Sequence, residues 1–486
     1  MPGDGPGDRR DGRSAGRGRL ARSWAWWREG WSMVRLRPFE QDTPHGRSQE
    51  RYRRIALTTL SAFAVRGLGT AVGLITVPLL LAYLGKERFG LWSTITTVVA
   101  WATLFDLGIA NGLVNCLAKA HGRGERDQAA RYVSTALAAL IAIAAILAAG
   151  VAVSAWSIPW ERVLAVRGAV DAQTVRWSVV AALATFIIGL PLSVGGQIYA
   201  AYQRAYVANA FAMIGAVVGV VALLAALGLG AGLPALVLVF GLGGLVASAL
   251  GLGYAMRVAM PWLRFRVGAV DREALREVMA RSIPMFLFQV GALVVNETQA
   301  IILAHRCNLA VVAEYAILMR LYLIALAVVQ LSTSSFVPSF REAVERGEHA
   351  WVRASFGHFV RVRVGLALVG GAALVLFGNP LLRVWLRRSD VWFSPATWVA
   401  LWGMMVSVTW AGAHSDLLAI TDRLWGLVVL VFLNATATVL LTWWLAPRLQ
   451  VFGVVIASGA VTAAIFTWLL PWMARSVLGG RSDGGK

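Results

Sequence analysis

Four charged side chains stand inside long apolar stretches of the chain: Arg66, Asp106, Glu297 and Arg320. An ionisable group in hydrocarbon is costly, and it marks a substrate or ion path or a partner of opposite sign. Arginine offers several N–H donors in a fixed planar fork, which suits phosphate. A carboxylate that takes up H+ or Na+ biases one conformation over another. Depth follows from the helical rise: Arg66 lies about 18 Å inward from Arg54, and Asp106 about 20 Å from Lys119. The two are therefore predicted to meet, either as a functional pair or as a structural one in which each charge neutralises the other. Glu297 lies about 24 Å from Arg281 and Arg320 about 32 Å from Arg341. That offset argues against a direct salt bridge between them. Gln289, Asn296 and Gln299 share a polar edge with Glu297, which fits a water-filled cavity or a hydrogen-bonded helix interface. Ser407, Trp410 and His414 also recur at helical spacing, with His414 expected at the membrane boundary.

The elements that must hold these groups are legible in composition. Of 486 residues, 58% are hydrophobic and 14% charged, with a mean hydropathy of +0.66; soluble domains carry about 25% charge. Apolar runs long enough to span about 30 Å predict twelve transmembrane helices. They fall near 56–82, 89–118, 132–156, 176–202, 205–229, 233–256, 282–306, 309–338, 357–378, 394–419, 423–446 and 451–474. The fold class is an all-α polytopic membrane protein. Residues 1–54 read as a basic, disordered cytoplasmic tail, 55–256 as a six-helix bundle, 257–281 as a cytoplasmic linker, 282–474 as a second six-helix bundle and 475–486 as a cytoplasmic tail. Within the first tail, 23–38 either rests on an anionic membrane surface or precedes a true start near Met33.

The net charge of +20 does not read as nucleic-acid binding, because the Arg residues sit in tails and short loops rather than on a soluble basic face. It reads as topology: cytoplasmic loops carry the Lys and Arg excess, which places both termini inside. The two cysteines and six histidines show no ligand spacing, so no metal or organic cofactor is expected. No phosphate-cradling GxxxxGK[ST] and no GxSxG elbow occurs. The outer loop 157–175 carries only Glu161, Arg162, Arg167 and Asp171 as charged residues, which argues against an enzyme with a catalytic external loop.

The stretch PLLLAYLGKERFGLWSTITTVVAWATLFDLGIANGLVNCLAKAHGRGERDQAARYVSTAL (78–137) resembles the bacterial polysaccharide and O-antigen flippases of the multidrug/oligosaccharidyl-lipid/polysaccharide exporter (MOP) superfamily. TQAIILAHRCNLAVVAEYAI (298–317), LLAITDRLWGL (417–427) and LAPRLQVFGVVIAS (445–458) carry weaker matches. The resemblance implies two six-helix bundles around a central cavity, alternately open to either side, that move a polyprenyl-pyrophosphate-linked oligosaccharide across the bacterial cytoplasmic membrane for surface polysaccharide synthesis. It implies membrane lipids, a glycan polymerase and glycosyltransferases as partners. Arg66, Arg320, Asn296 and Gln289 are then expected to bind substrate, and Asp106 and Glu297 to serve coupling to H+ or Na+, or gating. Family members often carry Asp where Glu297 stands. The competing readings are a cation-coupled multidrug antiporter of the same superfamily and a membrane glycosyltransferase or polymerase.

The charge distribution generates a test of orientation. A cysteine placed at Ala169 is expected to react with an impermeant maleimide on intact cells and one at Gly268 is not; labelling at Gly268 alone reverses the topology.

Overall fold

The computed structural model describes residues 44–166, 170–280, 282–330, 340, 348–387, 391–420 and 424–478. No strand occurs among them, as the fold class predicts. In hydrocarbon only helices and closed barrels satisfy their own backbone, and apolar runs of this length have one solution.

The first helix, α1 (Pro44–Ala102), bends at Gly85, whose φ of 74° lies in the left-handed region that glycine tolerates. A tight turn over Thr103–Asp106 and α2 (Ile109–Arg123) complete the second crossing. Then come α3 (Arg126–Ser157), the short α4 (Trp160–Val163), α5 (Ala172–Leu192), α6 (Val194–Ala201), α7 (Ala205–Gly228) and α8 (Leu233–Tyr254). After a crossover holding α9 (Arg272–Ala280), the second half follows: α10 (Ile283–Arg306), α11 (Leu309–Gln330), α12 (His349–Leu386), α13 (Pro395–Ile420) and α14 (Leu424–Leu478). Ten helical runs among the described residues are long and apolar enough to cross a membrane, and two of these, each 51 residues, fold back on themselves at Gly85 and Gln450. With both arms of each counted, the described residues make twelve crossings, the number expected from hydropathy.

Two expectations are corrected. The second crossing is not one helix over 89–118: it breaks at 103–108, around Asp106. Nor is the tail irregular up to residue 54, because α1 begins at Pro44. There Glu50 bonds Arg53 (2.7 Å) and Arg54 (2.9 Å) one turn on, which supports the helix below the membrane-spanning part. Residues 1–43, including the Trp- and Arg-rich segment, lie outside the described residues.

Packing is asymmetric along the membrane normal. At the Gly85 end one continuous apolar core joins both halves, running from Leu80, Leu84 and Trp92 through Leu303, Leu309 and Val312 to Trp398 and Val454. At the opposite end, where α1 begins and α14 ends, the halves have separate cores, one around Leu113, Tyr199 and Val278 and the other around Phe340, Phe359 and Leu470. The crossover belongs to the first of these. Its backbone N–H groups at Arg266 and Asp271 donate to Ser134 Oγ (3.2 Å) and Thr135 Oγ1 (3.0 Å) of α3. Glu277 of α9 accepts from the Tyr132 hydroxyl and lies 3.8 Å from Lys119 Nζ.

The second half has its own buried charge. Arg363 of α12, 1% exposed, donates to Asp416 Oδ2 of α13 (2.6 Å) and to Gln330 Oε1 (3.2 Å), and lies 5.3 Å from the Phe359 ring centre. Burying a guanidinium is tolerable only with such partners. His414 is buried among its protein neighbours, its Nδ1 2.9 Å from the Trp410 carbonyl. Asp416→Ala is expected to cost about 3 kcal/mol and Arg363→Met/Asp416→Leu to recover most of it, read as thermal unfolding in detergent.

Candidate functional site

Between the halves lies a cavity of about 620 Å³. The second arm of α1 lines it with the hydroxyl residues Ser93, Thr96 and Thr97, α10 with Gln289, Asn296 and Glu297, α11 with Tyr315 and Arg320, and α14 with Ser458 and Thr462. Aliphatic and Met side chains cover the rest, so the polar groups work in a poorly screened space.

The helices position these groups by simple rules. Gln289, Asn296 and Glu297 share a face because they recur at seven- and eight-residue intervals, two turns of helix. Asn296 Nδ2 donates to the Ala292 carbonyl one turn back (2.7 Å), and Thr96 Oγ1 to that of Ser93 (2.7 Å). These bonds hold the side chains in place while leaving the Asn296 amide oxygen for another donor. The Glu297 carboxylate lies against Thr97 across the seam between halves, and the Thr97 hydroxyl donates to the Ser93 carbonyl of its own helix at 3.2 Å. Gln299, expected on the same edge, turns away: it is buried, and its Nε2 donates to Val295 O at 3.2 Å.

Arg320 is the cation of the cavity. It reaches across from α11 to α1, where Nη2 donates to the Gly69 carbonyl at 3.1 Å. Gly73 makes room for it, since a Cβ there would fall on the guanidinium. Its Nε is buried without an acceptor, and no ion pair joins it to Glu297 or to any carboxylate among the described residues. The absence of a direct bridge agrees with the depth offset read from sequence. Closer to the Gly85 bend, Trp385 Nε1 donates to the Leu74 carbonyl (2.6 Å), and Lys86 and Glu314 pair at 3.4 Å, so several bonds bridge the halves at that end.

Arg66 and Asp106 are not brought together. Asp106 commits its carboxylate to the break in the second crossing, where Oδ1 accepts from the backbone N–H of Gly108 at 2.8 Å. Leu107 and Gly108 turn through φ 52° and 75° between the two helical pieces, and the Asp106 bond to Gly108 closes this turn just before the second piece begins. The predicted counter-ion pair is thereby corrected: in hydrocarbon the freed N–H groups compete for the acid at closer range than a side chain on another helix can. Arg66 is exposed and lies outside the cavity wall. It shares its helix face with Gly69 and Gly73, the positions that receive Arg320. The residues missed from sequence are the hydroxyl groups of α1 and α14 and the glycine cradle; only the small-residue spacing of 69 and 73 hinted at them.

Comparison with known proteins places this architecture. The computed structure is similar to an inward-facing multidrug resistance MATE family transporter of the MOP superfamily (TM-score 0.71, 14% identity, covering 86% of this chain and 96% of that one). It is also similar to the lipid II flippase MurJ in an inward closed conformation (TM-score 0.63, 11% identity, 86% and 87%). The protein is thus a multi-pass membrane protein with the fold of the MOP superfamily. Residues 55–344 match the family model described as "Polysaccharide biosynthesis protein", and the chain belongs to that family. An uncharacterised membrane protein of Bacillus subtilis (strain 168), EpsK, is 22% identical over 395 residues, 80% of this chain and 77% of that protein.

The turn's hydrogen bond distinguishes itself from a charge pair by substitution. Asp106→Asn keeps an acceptor and is expected to unfold within about 0.5 kcal/mol of the wild type, whereas Asp106→Ala loses about 1 kcal/mol or more. Equal damage from both would restore the charge as the role of Asp106.

Proposed function

We propose that the protein moves a polyprenyl-pyrophosphate-linked oligosaccharide across the bacterial cytoplasmic membrane by alternating access, with both termini in the cytoplasm. The observation that carries this reading is Arg320: a cavity guanidinium held by one neutral carbonyl of the opposite half and, among the described residues, by no carboxylate. A pyrophosphate is the stronger acceptor, since bonds between charged partners are about twice as strong as neutral ones. Drawing Arg320 from Gly69 onto the substrate loosens α1 from α11 at the seam. The shared core lies on the outer side in this orientation, and the separate cores on the inner side leave room for entry from the cytoplasm. The polyprenyl tail stays in lipid while the hydroxyl and amide groups of Thr96, Gln289 and Asn296 meet the sugars.

Glu297 has the coupling role. Its protonation, or Na+ binding in the proton's stead, removes the negative charge that α10 presents to Thr97 and so changes the contact between α10 and α1. Arg66, on the Arg320-receiving face of α1, supplies a second phosphate contact as substrate arrives, and Asp106 keeps the flexible break that lets the second crossing bend. Membership of a polysaccharide biosynthesis family supports a glycan cargo. A cationic drug has one carboxylate to meet in the cavity, and Arg320 beside it works against that cargo.

In reconstituted vesicles carrying a short-chain polyprenyl-pyrophosphate oligosaccharide, external periodate reads how much glycan has crossed. Arg320→Gln is expected to slow crossing by ten- to a hundredfold, about 1.5–3 kcal/mol of charged hydrogen bonding, with Arg320→Lys in between. Glu297→Gln is expected to abolish the response to a pH gradient. Wild-type crossing by Arg320→Gln, or efflux of a cationic dye instead of glycan, overturns the assignment.

A further inference from the structure

A second pocket, of about 260 Å³, shares no lining residue with the cavity and lies in the first half, at the end opposite the Gly85 bend. Four helix ends meet there: α2 stops at Arg123, α3 starts at Arg126, α6 stops at Ala201 and α7 starts at Ala205. Membrane-spanning helices end at the level of the lipid headgroups, so the pocket stands at that plane. Its walls carry His121, Arg126 and Arg204 together with Tyr202 and Trp262.

The cations are arranged to receive an anion. The Arg126 guanidinium stacks on Trp262 at 4.8 Å from the ring centre, a contact that fixes its plane while leaving its N–H edge unspent. His121 stacks on Tyr202 with ring centres 4.3 Å apart. Neither Arg126 nor Arg204 forms an ion pair with a carboxylate among the described residues. Glu125 on the rim is the one acid in the wall. Arg54, close enough to influence His121, is held by Glu50 at 2.9 Å. The α3 N-terminus adds the positive end of a 32-residue helix to the same place. Drug-sized ligands fill roughly 300–1,000 Å³, so this space suits a headgroup fragment and not a glycan.

We propose that this pocket is a phosphate site occupied by the headgroup of an anionic phospholipid, with Arg126 and Arg204 as the phosphate ligands and His121 beside them. Phosphate chemistry is shared by the lipid and by the transport substrate. The lipid is favoured by the pocket's height and by the Trp262 and Met260 side chains, which give the acyl end an apolar edge. The site lies outside the central cavity and stands or falls apart from the transport reading.

Native mass spectrometry of the full chain in a neutral detergent, titrated with phosphatidylglycerol or phosphatidylcholine, tests it. Wild type is expected to prefer phosphatidylglycerol, with each of Arg126→Gln and Arg204→Gln weakening it about fivefold and the pair about 25-fold. Arg126→Lys/Arg204→Lys, which keeps the charge, is expected to lose less. Arg276→Gln on the exposed face of α9 is expected to change nothing, and thermal unfolding without lipid checks that each variant is folded. Inorganic pyrophosphate is the second arm: stabilisation by it that the Gln pair removes, without any preference for phosphatidylglycerol, assigns the site to a soluble or substrate phosphate and overturns the lipid. Equal phosphatidylglycerol binding by wild type and the Gln pair overturns the site altogether.

Discussion

The bilayer's refusal to solvate backbone polar groups governs this molecule. Each unsatisfied N–H or C=O in hydrocarbon costs several kcal/mol, so every departure from regular helix has to bring its own hydrogen bonds. The break in the second crossing is held because Asp106 accepts the Gly108 N–H that the turn frees. The cavity follows the same economy of acceptors: Asn296 and Thr96 bond carbonyls of their own helix, and Arg320 finds one on the neighbouring helix. A backbone carbonyl that already serves its helix keeps a second lone pair, and this is what lets a charged side chain bridge two halves without a charged partner. Such a bridge is strong enough to hold a conformation and weak enough for a dianion to take apart.

The contact between halves depends equally on what is missing from three glycines. At Gly73 a side chain would collide with Arg320, at Gly90 with the Leu309 backbone, and at Gly112 with Val278 and Ser282. The first two let α1 and α11 lie close at the end where one core spans both halves. The third lets α2 sit against the crossover and the start of α10. Close backbone approach replaces the hydrophobic effect, which has no force between helices already in lipid.

How much was legible in the sequence follows from the range of the forces involved. Span number and position were readable because hydropathy over about 20 residues is a local property, and the MOP-type architecture was readable from the DLG and HGRGER blocks because those positions carry turns and caps. Gln289, Asn296, Glu297 and Arg320 were brought to one cavity as expected, since all four are polar groups that lipid rejects. What failed was pairing across helices. Arg66 and Asp106 match in depth, yet helix rotation, which depth does not contain, and the backbone's claim on Asp106 keep them apart. Ser458 and Thr462 were invisible for the converse reason: hydroxyl residues can bond their own helix, are common on apolar helices, and only tertiary placement says which face a cavity.

The crossover's attachment has a consequence for how the chain can be divided. Because Arg266 and Asp271 bond α3, and Glu277 meets Tyr132 and Lys119, the segment is a clasp fastened to the first half and not a tether strung between two bodies. α10 begins at Ile283, close after α9 ends at Ala280, so the clasp sits immediately before the second half's first crossing. A chain severed near the exposed Gly268 would leave α9 covalently on the second half but docked on the first, so the two products of such a split gene carry their own means of reunion. The same clasp makes the junction a natural point at which halves of this kind are exchanged or duplicated without losing their mutual address.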